Sequence, residues 1–313
     1  MKGLPSCPSC KGHAVRKLFA SRDRMLGITG SFSVWLCDSC GMAFLQPFLS
    51  AKDSQKYYPS QTYYAYSGSG RSGLLQILRE YLIAHYYTPT FLSKIISSLI
   101  HAVPAIPKEK KYGKVLDVGC GTGDTLLSLK SLGWDVYGME MDRKAVAVCK
   151  KRGLTHIRLG TYEHIQTYEN DTFDAIRLYH VIEHLPDPKS CLKLLYKKLK
   201  KGGEVIIGTP NIGSAAASLF GTYWYNLDSP RHLMLFTPRT LGIMAKDCGF
   251  RITITEYCSA GGIAGSLQYY LEEKLKRKIN FINALWCIVL LYPIEWILDI
   301  VGRGDVFVMR LTK

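Results

Sequence analysis

The stretch Val115 to Asp124, VLDVGCGTGD, decides the fold. VLDV has the length of a short buried strand, three glycines follow at Gly119, Gly121 and Gly123, and DTLLSLKSLG then takes up helical spacing. Glycines at a strand-to-helix turn let a ligand approach the backbone closely. The helix N-terminus beyond them offers unpaired N–H groups and a positive dipole to a carboxylate or phosphate. Downstream, DVYGME, RKAVAVCKKRG, FDAIRLYHV, PKSCLKLLYKKLKKGG and EVIIGTP alternate as strand and helix. Alternation at this spacing predicts a parallel sheet with helices on both faces, a doubly wound, Rossmann-like α/β fold.

Three details of the glycine turn favour S-adenosylmethionine over a dinucleotide. The spacing is GxGxG rather than GxGxxG, the acid Asp117 lies inside the end of the first strand, and the motif falls mid-chain. Glu140 closes the next strand, VYGME, where a carboxylate can accept hydrogen bonds from both ribose hydroxyls. The expected cofactor set is Asp117, Gly119, Cys120, Gly121, Gly123, Glu140, Met141 and Tyr179. From about Lys114 to Phe250 the chain resembles the class I S-adenosylmethionine-dependent methyltransferases. The further marks are FDAIRLYHVIEHLPDP, LKKGGEVIIGTPN and DSPRHLMLFTPRTLGIMAKDCGF. Together they resemble the branch containing quinone-pathway, sugar and cell-surface glycan methyltransferases. Arg177 departs from the pattern, because a charge inside an apolar strand is costly unless it is paired or turned toward the cleft.

Methyl transfer from a sulfonium needs orientation, desolvation and sometimes a base for the acceptor. In an open α/β sheet the acceptor sits at the carboxyl ends of the strands, where the fourth strand closes on Tyr179 and His180. Glu183 and His184 follow, an imidazole beside a carboxylate. The resemblance implies an acid/base role for them, since sugar C-methyltransferases with a zinc-binding N-terminal module carry a Glu-His pair here. The alternative is that EHLPDP begins a helix and ties down a loop. His232 in DSPRHL is a further candidate catalytic residue, with Asp228 and Arg231 able to orient it. A loop-fixing network before FTPRTL is its alternative.

Ahead of this core, CPSC (Cys7, Cys10) and CDSC (Cys37, Cys40) supply four thiolates in two close pairs separated by 26 residues. Four thiolates complete a tetrahedral structural zinc and leave no open position. The expected organisation is a zinc ribbon over 1–50, a linker and amphipathic helices forming a lid over 51–110, the methyltransferase domain over 111–260, and C-terminal apolar helices with a last strand over 261–313. The aromatic stretch Tyr57 to Gly73 reads as the linker or lid.

Lys and Arg number 40 against 25 Asp and Glu, and the +15 balance favours anionic partners. The six cysteines outside the pairs are scattered, which fits a reducing compartment, and MKGLPSCPSC lacks a leader's apolar run. The expected place is therefore cytoplasmic. Between Lys278 and Glu295, INFINALWCIVLLYPI is uncharged, preceded by KLKRK and interrupted by Pro293. It is short for a bilayer span, so residues 279–301 are expected either to touch a membrane peripherally on its cytoplasmic face or to lie buried. The leading function is methylation of a small-molecule, sugar/glycan or lipid-linked acceptor. An RNA methyltransferase is the enzyme alternative, although the sequence has no NPPY-type base-holding motif and nucleic acid is not an expected partner. An inactive scaffold bearing a zinc-ribbon binding module is the non-enzyme alternative.

Overall fold

The computed structural model describes residues 5–49, 53, 55–58, 74–99, 105–108, 113–259, 261–282 and 284–313. Three strands open the chain: β1 (Val15–Ser21), β2 (Phe32–Cys37) and β3 (Ala43–Gln46). Two helices follow, α1 (Leu74–Ala84) and α2 (Phe91–Leu99). The alternating core then runs β4 (Lys114–Val118), α3 (Asp124–Ser131), β5 (Asp135–Glu140), α4 (Arg143–Lys151), β6 (His156–Leu159) and β7 (Phe173–Tyr179). It continues through α5 (Pro188–Lys198), β8 (Leu199–Pro210), α6 (Ala215–Phe220), β9 (Met234–Leu235), α7 (Pro238–Asp247) and β10 (Arg251–Tyr257). The last elements are α8 (Gly262–Leu275), α9 (Leu285–Ile300) and β11 (Val306–Thr312).

Seven strands form the main sheet in the order β10-β11-β8-β7-β4-β5-β6. β4 pairs in parallel with both β5 and β7, so the strand order reverses at β4, and a ligand crevice opens at its carboxyl end. β11 runs antiparallel between β8 and β10. Helix starts follow local chemistry. Asp142 caps α4 by accepting the Ala145 N–H, Asp187 does the same for Ser190 ahead of Pro188 in α5, and Thr237 forms a capping box before Pro238 in α7. The fold is the doubly wound α/β arrangement that the alternation implied.

Three details differ from the sequence reading. The stretch PKSCLKLLYKKLKKGG leaves the helix at Lys198, because Leu199 already pairs with Phe173 in the β7–β8 ladder. Buried Lys198 is held there by the carbonyl of Tyr168 at 2.6 Å and the side chain of Asn170 at 2.9 Å. Phe91, the first residue of α2 in the expected amphipathic segment, is 82% exposed. Tyr57 is buried in a single 3-10 turn, edge-on to Phe32 with ring centroids 5.7 Å apart, instead of lying in open linker. The rest of the linker or lid expectation, beyond Tyr58, lies outside the described residues.

The N-terminal strands do not stand apart. β1, β2 and β3 make an antiparallel sheet that β9 completes, Phe44 pairing with Met234 and Ala43 with Leu235. Cys7, Cys37, Met42 and Phe44 share one hydrophobic cluster with Leu233, Met234, Phe236 and Leu241. Among the described residues, no helix is long and apolar enough to cross a membrane.

Asp305, ahead of β11, draws distant segments together by accepting from Ser214 Oγ at 2.8 Å, Trp224 Nε1 at 2.6 Å and Asn226 Nδ2 at 2.7 Å. Burial pushes its carboxyl up to about 6, against the opposing pull of these donors. A native carboxyl that keeps its proton to pH 6, while the unfolded one releases it near pH 4, favours the fold most below pH 4. That contribution, about 3 kcal/mol for a gap of roughly two units, is lost as pH rises through 6. Urea unfolding should therefore show wild type losing stability between pH 4 and 6.5, while Asp305→Asn stays flatter. Equal slopes in the two proteins would place the titration elsewhere.

Candidate active site

The glycine turn joins β4 to α3. Gly119, Gly121 and Gly123 all take left-handed backbone, with φ of +73°, +53° and +84°. A Cβ on Gly119 would meet Val181 Cγ2 at 2.5 Å, so the turn also brings the end of β7 close. Gly123 starts α3 without a side-chain cap, leaving the N-terminus available to an anionic ligand group. Glu140, at the end of β5, accepts the Gly121 N–H at 2.9 Å and the Asp142 N–H at 2.9 Å. A carboxylate has about four acceptor positions, so these backbone bonds leave it able to accept further from a hydroxyl. Burial raises the Glu140 carboxyl above its ordinary value, against the backbone donors that pull it down. Met141 beside it is 61% exposed. Cys120 is buried in the turn, and Cys149 Sγ reaches the Gly121 carbonyl from α4 at 3.2 Å.

Asp117 is differently placed from the other expected cofactor residues. Its carboxylate is buried and held by Arg177 Nη1 at 3.0 and 3.2 Å. The two residues are Cα partners across the β4–β7 ladder, and the pair accounts for a charge inside β7. Burial pushes the Asp117 carboxyl up, while Arg177 draws it down. Arg177 also lies over the Tyr179 ring, 4.6 Å from its centroid, and the Tyr179 hydroxyl is 3.7 Å from Cys258 Sγ. The carboxylate of Asp117 is thus occupied by the sheet itself, and Tyr179 is wedged against Gly208.

Beyond Tyr179 the structure brings His180, Glu183, His184 and His232 together. His180 has a left-handed φ of 54° while its amide stays bonded to the Gly208 carbonyl at 2.9 Å. Its Nδ1 lies 3.2 Å from Glu183 Oε1, and Thr209 Oγ1 donates to Glu183 Oε2 at 2.9 Å. Glu183 is fully buried. Burial would raise its carboxyl, but the His180 hydrogen bond and the surrounding imidazoles hold it at about 2. His184 Nδ1 is 3.0 Å from the Arg231 carbonyl and 3.1 Å from the Tyr58 hydroxyl. His232 Nδ1 is 2.9 Å from the Asn226 carbonyl. Carbonyls and an ionised carboxylate only accept, so each Nδ1 carries a proton, and in the neutral ring the lone pair is on Nε2. His180 and His184 are partly exposed, whereas Glu183 and His232 are buried.

Arg231 sits behind this group. It is buried, paired with Asp23 through Nη2 at 2.9 Å and with Asp228 through Nε at 2.8 Å. Asp228 Oδ2, 3.9 Å from His232 Nε2, has no hydrogen-bond partner. Glu183, His184 and His232 offer ligand atoms within 4.8 Å of one another and could hold a cation. Sequence reasoning did not reach Thr209, Asp23 or Cys149, whereas Tyr58 fell within the stretch read as linker or lid. Thr209 left a signal: it lies in EVIIGTP, the strand beside β7, where Tyr179 pairs with Gly208.

The four ribbon thiols fit a tetrahedral ion. Cys7 Sγ lies 3.6 Å from Cys40 Sγ, Cys10 Sγ lies 3.6 Å from Cys37 Sγ, and all four fall within 4.8 Å. Four sulfurs each at about 2.3 Å from one zinc stand roughly 3.8 Å apart.

A family model described as a methyltransferase domain matches residues 86–254. The chain belongs to that family, and its fold is that of the class I S-adenosylmethionine-dependent methyltransferases. Among proteins it resembles is the ubiquinone biosynthesis O-methyltransferase of Aliivibrio fischeri (strain MJ11), 35% identical over 103 residues, covering 31% of this chain and 44% of that protein. The protein of the same name from Pseudomonas putida (strain GB-1) is 29% identical over 150 residues, covering 44% of this chain and 65% of its own length. The chain thus spans about half the length of the curated relatives it matches. A solved S-adenosylmethionine-dependent methyltransferase from Archaeoglobus fulgidus covers 75% of this chain and 94% of its own, with 22% identity and a TM-score of 0.48.

Two outcomes are expected of these centres. Elemental analysis should return one zinc per chain, lost in Cys37→Ser; a metal-free wild type of equal thermal stability would remove the zinc assignment. Calorimetry should show S-adenosylmethionine binding weakened at least tenfold in Glu140→Ala, and unchanged affinity would move the ribose contact elsewhere.

Proposed function

We propose that this chain transfers the methyl group of S-adenosylmethionine to a hydroxyl of a small-molecule acceptor, with sugar or lipid-linked hydroxyl compounds in the same class. The observation that carries the reading is the pair of partly exposed imidazoles, His180 and His184, at the carboxyl end of β7 beside the glycine turn. Each has Nδ1 fixed as a donor, so that Nε2 is the nitrogen that can take a proton. The name O-methyltransferase of the relatives supports an oxygen acceptor. When bound, S-adenosylmethionine supplies an electrophilic methyl group. The chain's own work is to hold it and to take a proton from the acceptor.

In this proposal the glycine turn lets the amino-acid end of the cofactor come close, and the uncapped start of α3 supplies its donors, since the Gly119, Cys120, Gly121 and Gly123 amides are bonded within the fold. Glu140 accepts from the ribose, and Met141 offers an apolar surface beside it. Asp117 acts indirectly, by neutralising Arg177 beneath the turn. Ionised Glu183 orients His180 and balances the positive charge that develops when an imidazole takes a proton. His232, which burial and the neighbouring His184 hold down at about 4, stays neutral and fixes the loop. The ribbon's zinc, bound by Cys7, Cys10, Cys37 and Cys40, is structural in this reading.

The +15 charge favours one second reading, methylation of RNA. Filter binding should show no steep loss of RNA affinity between 50 and 200 mM salt; a steep slope would revive that alternative. Extracts incubated with methyl-labelled S-adenosylmethionine should yield a labelled small molecule, identified by mass spectrometry. Label confined to RNA, or absent despite cofactor binding, would overturn the proposal. His184→Ala should leave cofactor affinity within about twofold and lower kcat by about 10²-fold or more. An unchanged kcat would return His184 to a structural role.

A further inference from the structure

Helix α9 is built inside out. A helix on a globular surface turns its apolar stripe inward and its charges to water. In α9 the acids Glu295 and Asp299, four residues apart, are buried, while Trp286, Val289, Leu290, Ile294, Ile297 and Ile300 are exposed. Trp286 is 63% exposed, Leu290 68% and Ile297 54%. The inward acids have a clear task. Glu295 accepts the Gly261 and Ile263 N–H groups at 2.8 and 3.0 Å, and Asp299 accepts the Ser259 N–H and hydroxyl at 2.9 and 2.7 Å. They anchor α9 to the loop leading into α8 and commit its apolar face to the outside.

The flank of that face is basic. Lys274, Lys276, Arg277 and Lys278, at the end of α8 and just beyond it, are all exposed, with Leu275 exposed among them. Sixteen residues at 1.5 Å each give a helix about 24 Å long, short of the roughly 30 Å hydrocarbon layer. Such a helix suits the plane of an interface, where Trp286 and Trp296 supply the amphipathic rings that settle at headgroup level. We infer that the outward face of α9 docks this protein on an anionic lipid surface, with residues 274–278 meeting the headgroups. A second copy of the chain is the less suited occupant, because isologous pairing would bring two like-charged basic flanks to one interface. The inference stands independently of the methyl-transfer reading.

The test is cosedimentation of the full chain with vesicles of phosphatidylcholine and phosphatidylglycerol at 3:1, and with phosphatidylcholine alone, in 0.1 M salt. Wild type should bind the anionic vesicles at least tenfold more tightly than the neutral ones. The combination Trp286→Gln, Leu290→Gln, Ile297→Gln should lose at least tenfold on anionic vesicles. The separate combination Lys276→Gln, Arg277→Gln, Lys278→Gln, outside the helix and harmless to its packing, should do the same. Thermal melts of both variants should match wild type, since the replaced side chains are exposed. No vesicle binding by wild type, equal binding to both lipids, or undiminished binding by the basic-flank variant would overturn the inference. So would a wild-type dimer in sedimentation without lipid that the apolar variant splits into monomers.

Discussion

One buried guanidinium ties the parts of this protein to one another. Arg231 reaches Asp23 in the β1–β2 connection, Asp228 in its own loop and the backbone carbonyl of Tyr57, while its own carbonyl accepts from His184 Nδ1. The N-terminal hairpin, the start of the linker and the loop of residues 228–232 therefore share one charge. Two carboxylates around it offset the desolvation of the guanidinium and hold it firmly in its charged form. Such a group adds little net stability over an apolar replacement, yet removing one partner strands the others at a cost of about 3–5 kcal/mol. Its value is geometric, since it fixes where His184 and His232 stand.

The core was legible because it is written locally. Strand and helix periodicity, the glycine turn and the pairing of His180 with Glu183 are set within a few residues, and Glu140 follows the turn by 19 residues at the end of the next strand. What the sequence hid depends on long-range register. Asp117 was expected at the cofactor and Arg177 stood out as a charge in an apolar strand, and the parallel β4–β7 pairing sets them side by side. Asp23, Tyr58 and Thr209 come to the site from 208, 126 and 26 residues away in the chain from the partners they bond. No periodicity announces such contacts. The acids of α9 lay between these extremes: their four-residue spacing was visible, but only the fold shows that they point inward.

At the end of β7 labour is divided by burial. His180 takes a left-handed backbone, which costs an ordinary residue about 1 kcal/mol or more, and the bond from its amide to Gly208 keeps it there. That bend turns the chain into the short helical turn carrying Glu183, which is wholly inside and ionised. An ionised carboxylate thus lies beneath two half-exposed imidazoles at the carboxyl end of the strand. His232 faces the same carboxylates but is sealed from solvent, and burial keeps it neutral.

The ribbon is for this reason part of the site's wall and not a separate attachment. Its thiols Cys37 and Cys40 bracket the turn between β2 and β3, and β3 pairs with β9 two residues after His232. Leu45 N–H bonds the Leu233 carbonyl at 3.0 Å, while Leu233 N–H bonds the Glu183 carbonyl at 2.8 Å. Backbone hydrogen bonds thus run from the strand beside the four thiols to Glu183, whose carboxylate bonds His180. A metal that holds the β2–β3 turn holds that ladder in register, and through it the carboxylate on which the imidazoles depend.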